Sequence, residues 1–252
     1  MTAPVLDRVQ SALSERYRVV REVSRGGMGT VFEAEDLKHG RPVAIKVLNP
    51  EQAEAIGAAR FHAEIRIAAR LTHPHIVPVH DSGVADTLLY YVMPLIAGDS
   101  LRQRLIRERQ LPLEDALQIT REVCDALQYA HGQGLVHRDI KPDNILLSGG
   151  HALVLDFGIA QSSAPNAFGA VPTRTFALAG TPLYMSPEQA SGSPVDARSD
   201  QYSLACVLYE MLAGQPPFTG ASPDSIALQH RNVEPRPVTA LRPSTPPGVA
   251  AR

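Results

Sequence analysis

The sequence predicts an α+β protein in two parts, a β-rich N-terminal part followed by a mainly helical one. Three observations predict it. Between Tyr17 and about Val92, β-type runs dominate: YRVVREV, TVFEAE, PVAIKVL, IVPVHDSG and LLYYVM. From about Leu101 the apolar residues recur at helical spacing instead. The 252 residues are enough for one large domain or two small lobes, and 44% apolar with 20% charged content is that of a globular chain.

Taken in order, residues 1–16 read as a short leader helix. The start MTAPVLDRVQSALSERY lacks a basic stretch followed by an apolar one, so it is not a secretory signal. PVAIKVL alternates as a strand, with Val43, Ile45 and Val47 on one face and Ala44, Lys46 and Leu48 on the other. A helix is expected over about Glu51 to Leu71, broken by HPH. In EDALQITREVCDALQYA, the residues Ala116, Ile119, Val123, Leu127 and Ala130 form one stripe, and Gly132 and Gly134 end the helix. RSDQYSLACVLYEMLAG reads as a second buried helix, with Leu204, Leu208 and Met211 inward. The Pro-rich EPRPVTALRPSTPPGVAAR reads as a linker or surface loop.

Net charge of −2 gives no electrostatic case for nucleic acid or a membrane surface. No run of 18 apolar residues occurs, so no membrane contact is expected within the chain. Cys124 and Cys206 lie in apolar helical patterns and read as small buried hydrophobes, which fits a reducing cytoplasm. Lysine is scarce: Lys38, Lys46 and Lys141 stand against 21 arginines, so Lys46 and Lys141 mark places where a compact ammonium is wanted.

Four stretches carry chemistry. VSRGGMGTVFEAE (23–35) sets glycines between two strands, where a hairpin backbone can approach phosphates. Lys46 has apolar neighbours on its strand face and needs a partner; Glu64, mid-helix among apolar residues, is a suitable one. VHRDIKPDNILL (136–147) crowds Asp139, Lys141 and Asn144 between apolar flanks. LVLDFGIA (153–160) ends an apolar strand in Asp156, whose carboxylate can hold a hard cation with Asn144 as a second oxygen.

With GTPLYMSPE, these elements occur in the order of the protein kinase family, and the chain resembles that family from about residue 17 to 252. RGGMG, HPHIVPVHDSG and GTPLYMSPEQ are most similar to the eukaryotic-like bacterial serine/threonine kinases. The resemblance implies a bilobal fold, with an N-lobe over 17–96 and a helical C-lobe over 97–252. It implies ATP and Mg²⁺, or Mn²⁺ in its place, and protein substrates bearing Ser or Thr. It assigns the nucleotide to Val23, Ser24, Arg25, Gly26, Gly27, Met28 and Gly29 of the loop. Val31, Ala44 and Leu146 would sandwich the adenine beside Met93, while the carbonyl of Pro94 and the amide of Ile96 bind the base. Lys46, paired to Glu64, would contact the α/β-phosphates. Asp139 would take the substrate hydroxyl's proton, Lys141 would neutralise the γ-phosphoryl, and Asn144 and Asp156 would hold the metal. Arg138 implies regulation by a phosphorylated loop, with Thr173 and Thr175 as autophosphorylation sites, within a homodimer if it occurs in trans. Thr181 would position the substrate.

Two departures stand out. Ser24 takes the place of the first loop glycine. The family's C-lobe also continues into further helices carrying an Arg that pairs with Glu188, and this chain stops at Arg252 within its Pro-rich stretch. The C-lobe is therefore expected to be incomplete. The rival readings are a pseudokinase acting as a nucleotide-gated interaction module, and a small-molecule kinase. The complete catalytic set argues against the first, and GTPLYMSPE against the second.

Overall fold

The computed structural model describes residues 5–157 and 182–250. The chain separates into two compact units. Of the described residues, one gathers 5–72 and 77–97; the other takes 73–76, 98–157 and 182–250.

The first unit is an antiparallel five-stranded sheet in the order β1-β2-β3-β5-β4. Its strands are β1 (Tyr17–Arg25), β2 (Gly29–Asp36), β3 (Arg41–Leu48), β4 (Asp81–Ala85) and β5 (Leu88–Pro94). The β3 alternation is realised. Phe32, Ile45 and Val92 are register partners on one face, while Val31, Lys46 and Tyr91 are partners on the other. The first face belongs to a core of Val19, Phe32, Val43, Ile45, Val47 and Val92, and Val9 and Leu13 of helix α1 (Val5–Leu13) close it. The leader helix is thus part of this unit's core. Burying two such side chains contributes on the order of 3–6 kcal/mol.

The expected single helix after β3 is two, α2 (Pro50–Ile56) and α3 (Ala58–Ala68). Gly57 separates them at φ +73°, a backbone state that L-residues rarely adopt. Helix α3 buries Phe61, Ile65 and Ala68. IVPVHDSG is a strand only from Asp81; ahead of it, the His80 amide donates to the Val92 carbonyl at 2.7 Å.

The second unit is built on α5 (Leu113–Gly132) and α7 (Ala197–Ala213), which pack together. All five stripe residues of α5 are buried. Helix α5 also packs on a small sheet of β6 (Asp99–Ser100), β7 (Ile145–Ser148) and β8 (His151–Val154). Two expectations need correction. Cys124 is exposed, because it lies one residue past Val123 and so is rotated about 100° out of the stripe. Leu208 is only partly buried, whereas Val207 is fully buried. Helix α7 is covered on most sides, so an apolar stripe does not select its inner face.

Helices α4 (Leu101–Glu108), α6 (Pro187–Ala190), α8 (Pro223–Asn232) and α9 (Pro247–Ala250) complete the unit. The Pro-rich segment is anchored rather than loose. Tyr209 Oη donates to the Arg236 carbonyl at 2.8 Å, and Arg242 reaches the Leu111 carbonyl at 2.6 Å. Among the described residues no helix is long and apolar enough to cross a membrane.

Candidate active site

The polar stretch 137–144 sits where a short 3₁₀ turn, Pro142–Asn144, leads into β7. Pro142 fixes the start of that turn and removes an amide that would need a partner. Three sequence-predicted residues converge here. Lys141 Nζ lies 2.6 Å from Asp139 Oδ2. Asn144 Nδ2 donates to the Asp139 carbonyl at 2.8 Å and to Asp139 Oδ2 at 2.9 Å. Both Asn144 hydrogens are thereby used, and its Oδ1 is left for a cation. The Asn144 carbonyl accepts from the Leu155 amide at 2.9 Å, which brings the neighbouring Asp156 to the same place.

Arg138 and Asp156 have φ of +68° and +61°. Each such non-glycine residue costs on the order of 1–3 kcal/mol and persists only when its surroundings over-determine it. They do so here. The Arg138 amide donates to Asp200 Oδ1 at 2.7 Å, and its carbonyl accepts from Gln189 Nε2 at 2.8 Å. Asp200, fully buried on α7, also accepts from the His137 amide at 2.8 Å and from His131 Nε2 at 2.7 Å. One carboxylate therefore fixes two successive amides of the loop. His137 joins the two strained residues. Its Nδ1 accepts from the Asp139 amide at 3.2 Å, so Nε2 carries the hydrogen donated to the Leu155 carbonyl at 2.7 Å. Its ring stands edge-on to the buried Phe157, centroids 4.8 Å apart.

The segment 182–190 supports the same loop. Ser186 and Gln189 form a reciprocal cap on α6. Tyr184 is held by Arg102 and Glu210 through its hydroxyl, and by Ser203 through its carbonyl at 2.7 Å. Burial works against the Arg102 charge, but Glu210 and Tyr184 outweigh it and hold the guanidinium well above its ordinary range. Glu188, for which an arginine was expected, accepts from the Ser199 hydroxyl.

In the first unit, the Gly-rich turn closes with Gly26 and Gly29 exchanging amide–carbonyl hydrogen bonds of 2.9 and 3.3 Å. Gly29 is required sterically: a Cβ there would come within 2.3 Å of the Val47 carbonyl oxygen. Gly26 faces open space. Asn49 ties the turn to β3, donating to the Gly26 and Gly27 carbonyls at 3.2 and 3.1 Å. Val23, Ser24, Arg25, Gly26 and Gly27 are exposed; Arg25 pairs with Glu22 at 2.6 Å. Met28 and Val31 are half-buried. Ala44 pairs across the strands with Met93, and Lys46 with Val31 and Tyr91, so these share one sheet face. Lys46 is 8% exposed, and its ammonium lies 6.0 Å from the centre of the Tyr91 ring. Glu64 on α3 meets Arg60 at 3.4 Å. Pro94 ends β5 and Ile96 follows it, both half-buried. Leu146 lies on β7 of the second unit, paired with Leu153. Thr173, Thr175 and Thr181 fall outside the described residues.

Asn49, His137, Gln189 and Asp200 complete this arrangement and were not picked out from the sequence. Asp200 lies in the first turn of α7, where a carboxylate is ordinary and so gives no signal; its partners there include backbone amides more than 60 residues away.

Asn144 Oδ1 and the Asp156 carboxylate are the oxygen donors of this loop that could hold a hard cation. Among the described residues no cluster of three or more His, Cys, Asp or Glu could hold a metal unaided. That donor set suits Mg²⁺, which is commonly bound by one or two carboxylates with the remaining positions filled by phosphates and water.

A two-unit fold with a Gly-rich hairpin, a strand lysine and a strained Arg–Asp loop is that of a protein kinase domain. Residues 17–243 match the family described as "Protein kinase domain", and the chain belongs to it. It is 45% identical to the serine/threonine-protein kinase PknB of Mycobacterium tuberculosis over 236 residues, 91% of this chain and 37% of the relative. It is 43% identical to the probable serine/threonine-protein kinase SCO3848 of Streptomyces coelicolor, covering 95% of this chain and 36% of that one. The chain thus spans little more than a third of the length of these relatives. Among solved structures, the Mycobacterium tuberculosis PknI kinase domain is similar at 34% identity and a TM-score of 0.72, covering 90% of this chain and 82% of that one.

Proposed function

We propose that the chain is a protein serine/threonine kinase of the eukaryotic-like bacterial type, transferring the γ-phosphoryl of ATP to Ser or Thr hydroxyls. Residues 17–96 bind the nucleotide and 97–252 carry the catalytic and activation loops. The observation that carries the proposal is the convergence of Lys141 and Asn144 on Asp139, at 2.6 and 2.9 Å. Both engage Oδ2, so Oδ1 is the atom that orients the acceptor hydroxyl and takes its proton as the new O–P bond forms. Lys141, beside it, offsets charge on the transferring phosphoryl while the bond to ADP breaks. Lys46, from its mostly buried strand position, holds the α/β-phosphates, with Glu64 as its proposed carboxylate partner. Val31, Ala44, Met93 and Leu146 take the adenine, and Pro94 and Ile96 bind its edge through backbone groups. Asn144 and Asp156 would hold Mg²⁺, or Mn²⁺ in its place, which supplies charge neutralisation at the phosphates. Little covalent help is needed in such a transfer, so a rigid loop and placed charges account for most of the catalysis.

Autophosphorylation of Thr173 and Thr175, read out by Arg138, is part of the proposal, as are a trans-acting homodimer, a substrate-positioning role for Thr181 and a cytoplasmic location. Replacing Asp139 by Asn tests the core of it. The expected result is a kcat lower by roughly 10²–10⁴-fold with ATP affinity retained, the usual worth of a positioned base. An unchanged kcat removes Asp139 from the mechanism.

A further inference from the structure

A second charged network of this unit adjoins the Asp139 cluster and has no part in the chemistry above. Its centre is Arg102 on α4, whose side chain is 24% exposed. Nη1 donates to Glu210 Oε1 at 2.7 Å, Nη2 donates to the Tyr184 hydroxyl, and Nε faces Asp143 Oδ2 at 3.4 Å. The guanidinium carbon lies 5.8 Å from the centre of the Tyr184 ring. Tyr184 in turn donates to Glu210 Oε2, so both oxygens of Glu210 are used. Tyr184 and Glu210 are buried, whereas the Asp143 side chain is 52% exposed. The guanidinium therefore fills a slot with a buried floor and an open mouth at Asp143. Among the described residues, neither Glu210 nor Asp143 has another cation as partner.

The slot adjoins both parts of the site that an acceptor meets. Asp143 belongs to the turn Pro142–Asn144, between Lys141 and Asn144, whose side chains both end on Asp139 Oδ2. Tyr184 belongs to the segment that supports the same loop, and Ser203 Oγ fixes its carbonyl at 2.7 Å. Two carboxylates and a phenol around a planar cation make a guanidinium site, and Arg102 itself shows what the slot takes. Without that cation, Glu210 would be a buried carboxylate lacking a counter-charge, which is costly, so the slot draws in whatever cation can reach it. Here the chain supplies one from its own α4.

We propose that Arg102 is a specificity-determining residue for the acceptor peptide. It seats the chain's own guanidinium where an arginine of the acceptor would otherwise bind, and so makes the site indifferent to basic residues around the target Ser or Thr. This rests on the kinase reading, which lays the acceptor along Asp143 and Tyr184.

The test uses Thr-centred peptides of Ala, Gly and Gln in which a single Arg is walked along the positions on either side of Thr, with the peptide lacking Arg as reference. The quantity read is the ratio of kcat/KM for the best Arg-bearing peptide to that for the reference. Wild type should treat the two alike. Arg102→Met keeps the bulk of the stem but removes the charge. It should raise the ratio roughly tenfold, the worth of one charge-assisted hydrogen bond, with KM for ATP unmoved. A purely structural role for Arg102 would slow both peptides equally, and a ratio left at its wild-type value overturns the proposal. A wild type that already favours the Arg-bearing peptide as strongly as the variant does overturns it too. If Arg102→Met fails to fold, Arg102→Met/Glu210→Gln removes the buried pair together, a change that proteins often tolerate. Asp143 alone should then raise the ratio roughly threefold, and a wild-type ratio in that chain overturns the proposal. If the wild type phosphorylates no peptide, the kinase reading falls. Fluorescence anisotropy with the same peptides, labelled, then decides whether Arg102 screens the two carboxylates: Arg102→Met should bind the Arg-bearing peptide more tightly than the reference, and equal binding overturns the proposal.

Discussion

Asp200 is the residue on which the geometry of the catalytic loop most depends, although it touches neither nucleotide nor acceptor in this account. Replacing it by Ala would strip acceptors from three donors: the His137 and Arg138 amides and His131 Nε2. A buried donor left unsatisfied costs about 1–3 kcal/mol. Three in one cluster, which need not add fully, come to roughly 3–6 kcal/mol, against a typical total stability of about 5–15 kcal/mol. Asp200→Asn is the sharper test. Its one side-chain oxygen can keep the His137 and His131 contacts at the Oδ2 position, but its NH₂ then faces the Arg138 amide, donor against donor. Stability should fall by about 1–3 kcal/mol. Arg138, held at φ +68° by that bond, would relax and carry Asp139 with it. A displacement near 1 Å at a catalytic group costs about 10²-fold in rate. Urea titration gives the first quantity and steady-state phosphate transfer the second. An Asp200→Asn chain with unchanged stability and kcat within twofold of wild type would refute the reasoning.

The two loop glycines should separate fold from binding. Gly29→Ala drives a Cβ to 2.3 Å from the Val47 carbonyl oxygen, and stability should drop by about 1–3 kcal/mol in a urea titration. Gly26→Ala meets nothing within 4 Å, so its melting temperature should stay put while KM for ATP rises. Stability should also decline as pH falls from 7.5 to 5.5. Burial lowers the pKa of His73, His80 and His230 below 6.5, so the unfolded chain takes up protons that the folded chain refuses. The midpoint of urea unfolding at the two pH values checks this, and His230→Phe should flatten the decline.

Much of the fold was legible because local period and burial agree. The α5 stripe assigns an inward face, and those residues are buried; the β3 alternation assigns its residues to two faces, and both are buried from Val43 to Leu48. The period failed where burial is not one-sided. Helix α7 is covered nearly all round, which is why Val207 displaces Leu208 from the inner set. The site was legible where residue types are chemically unusual for their setting, as with Asp139, Lys141 and Asn144 between apolar flanks. Its supports were not. Asp200, Gln189 and Asn49 act on backbone amides and carbonyls, and a backbone partner 22 to 63 residues away leaves no mark in the sequence. Anchoring of the Pro-rich segment by Tyr209 and Arg242 was hidden for the same reason.

The central claim is phosphoryl transfer by Asp139 and its partners. The most direct measurement is intact-mass and peptide mass spectrometry of the purified chain after incubation with Mg-ATP, beside the Asp139→Asn and Lys46→Ala chains. Phosphate on Thr173 or Thr175 in the wild type, and none in either variant, is the predicted result. Equal phosphate in the wild type and Asp139→Asn chains, or none in the wild type, would contradict the account.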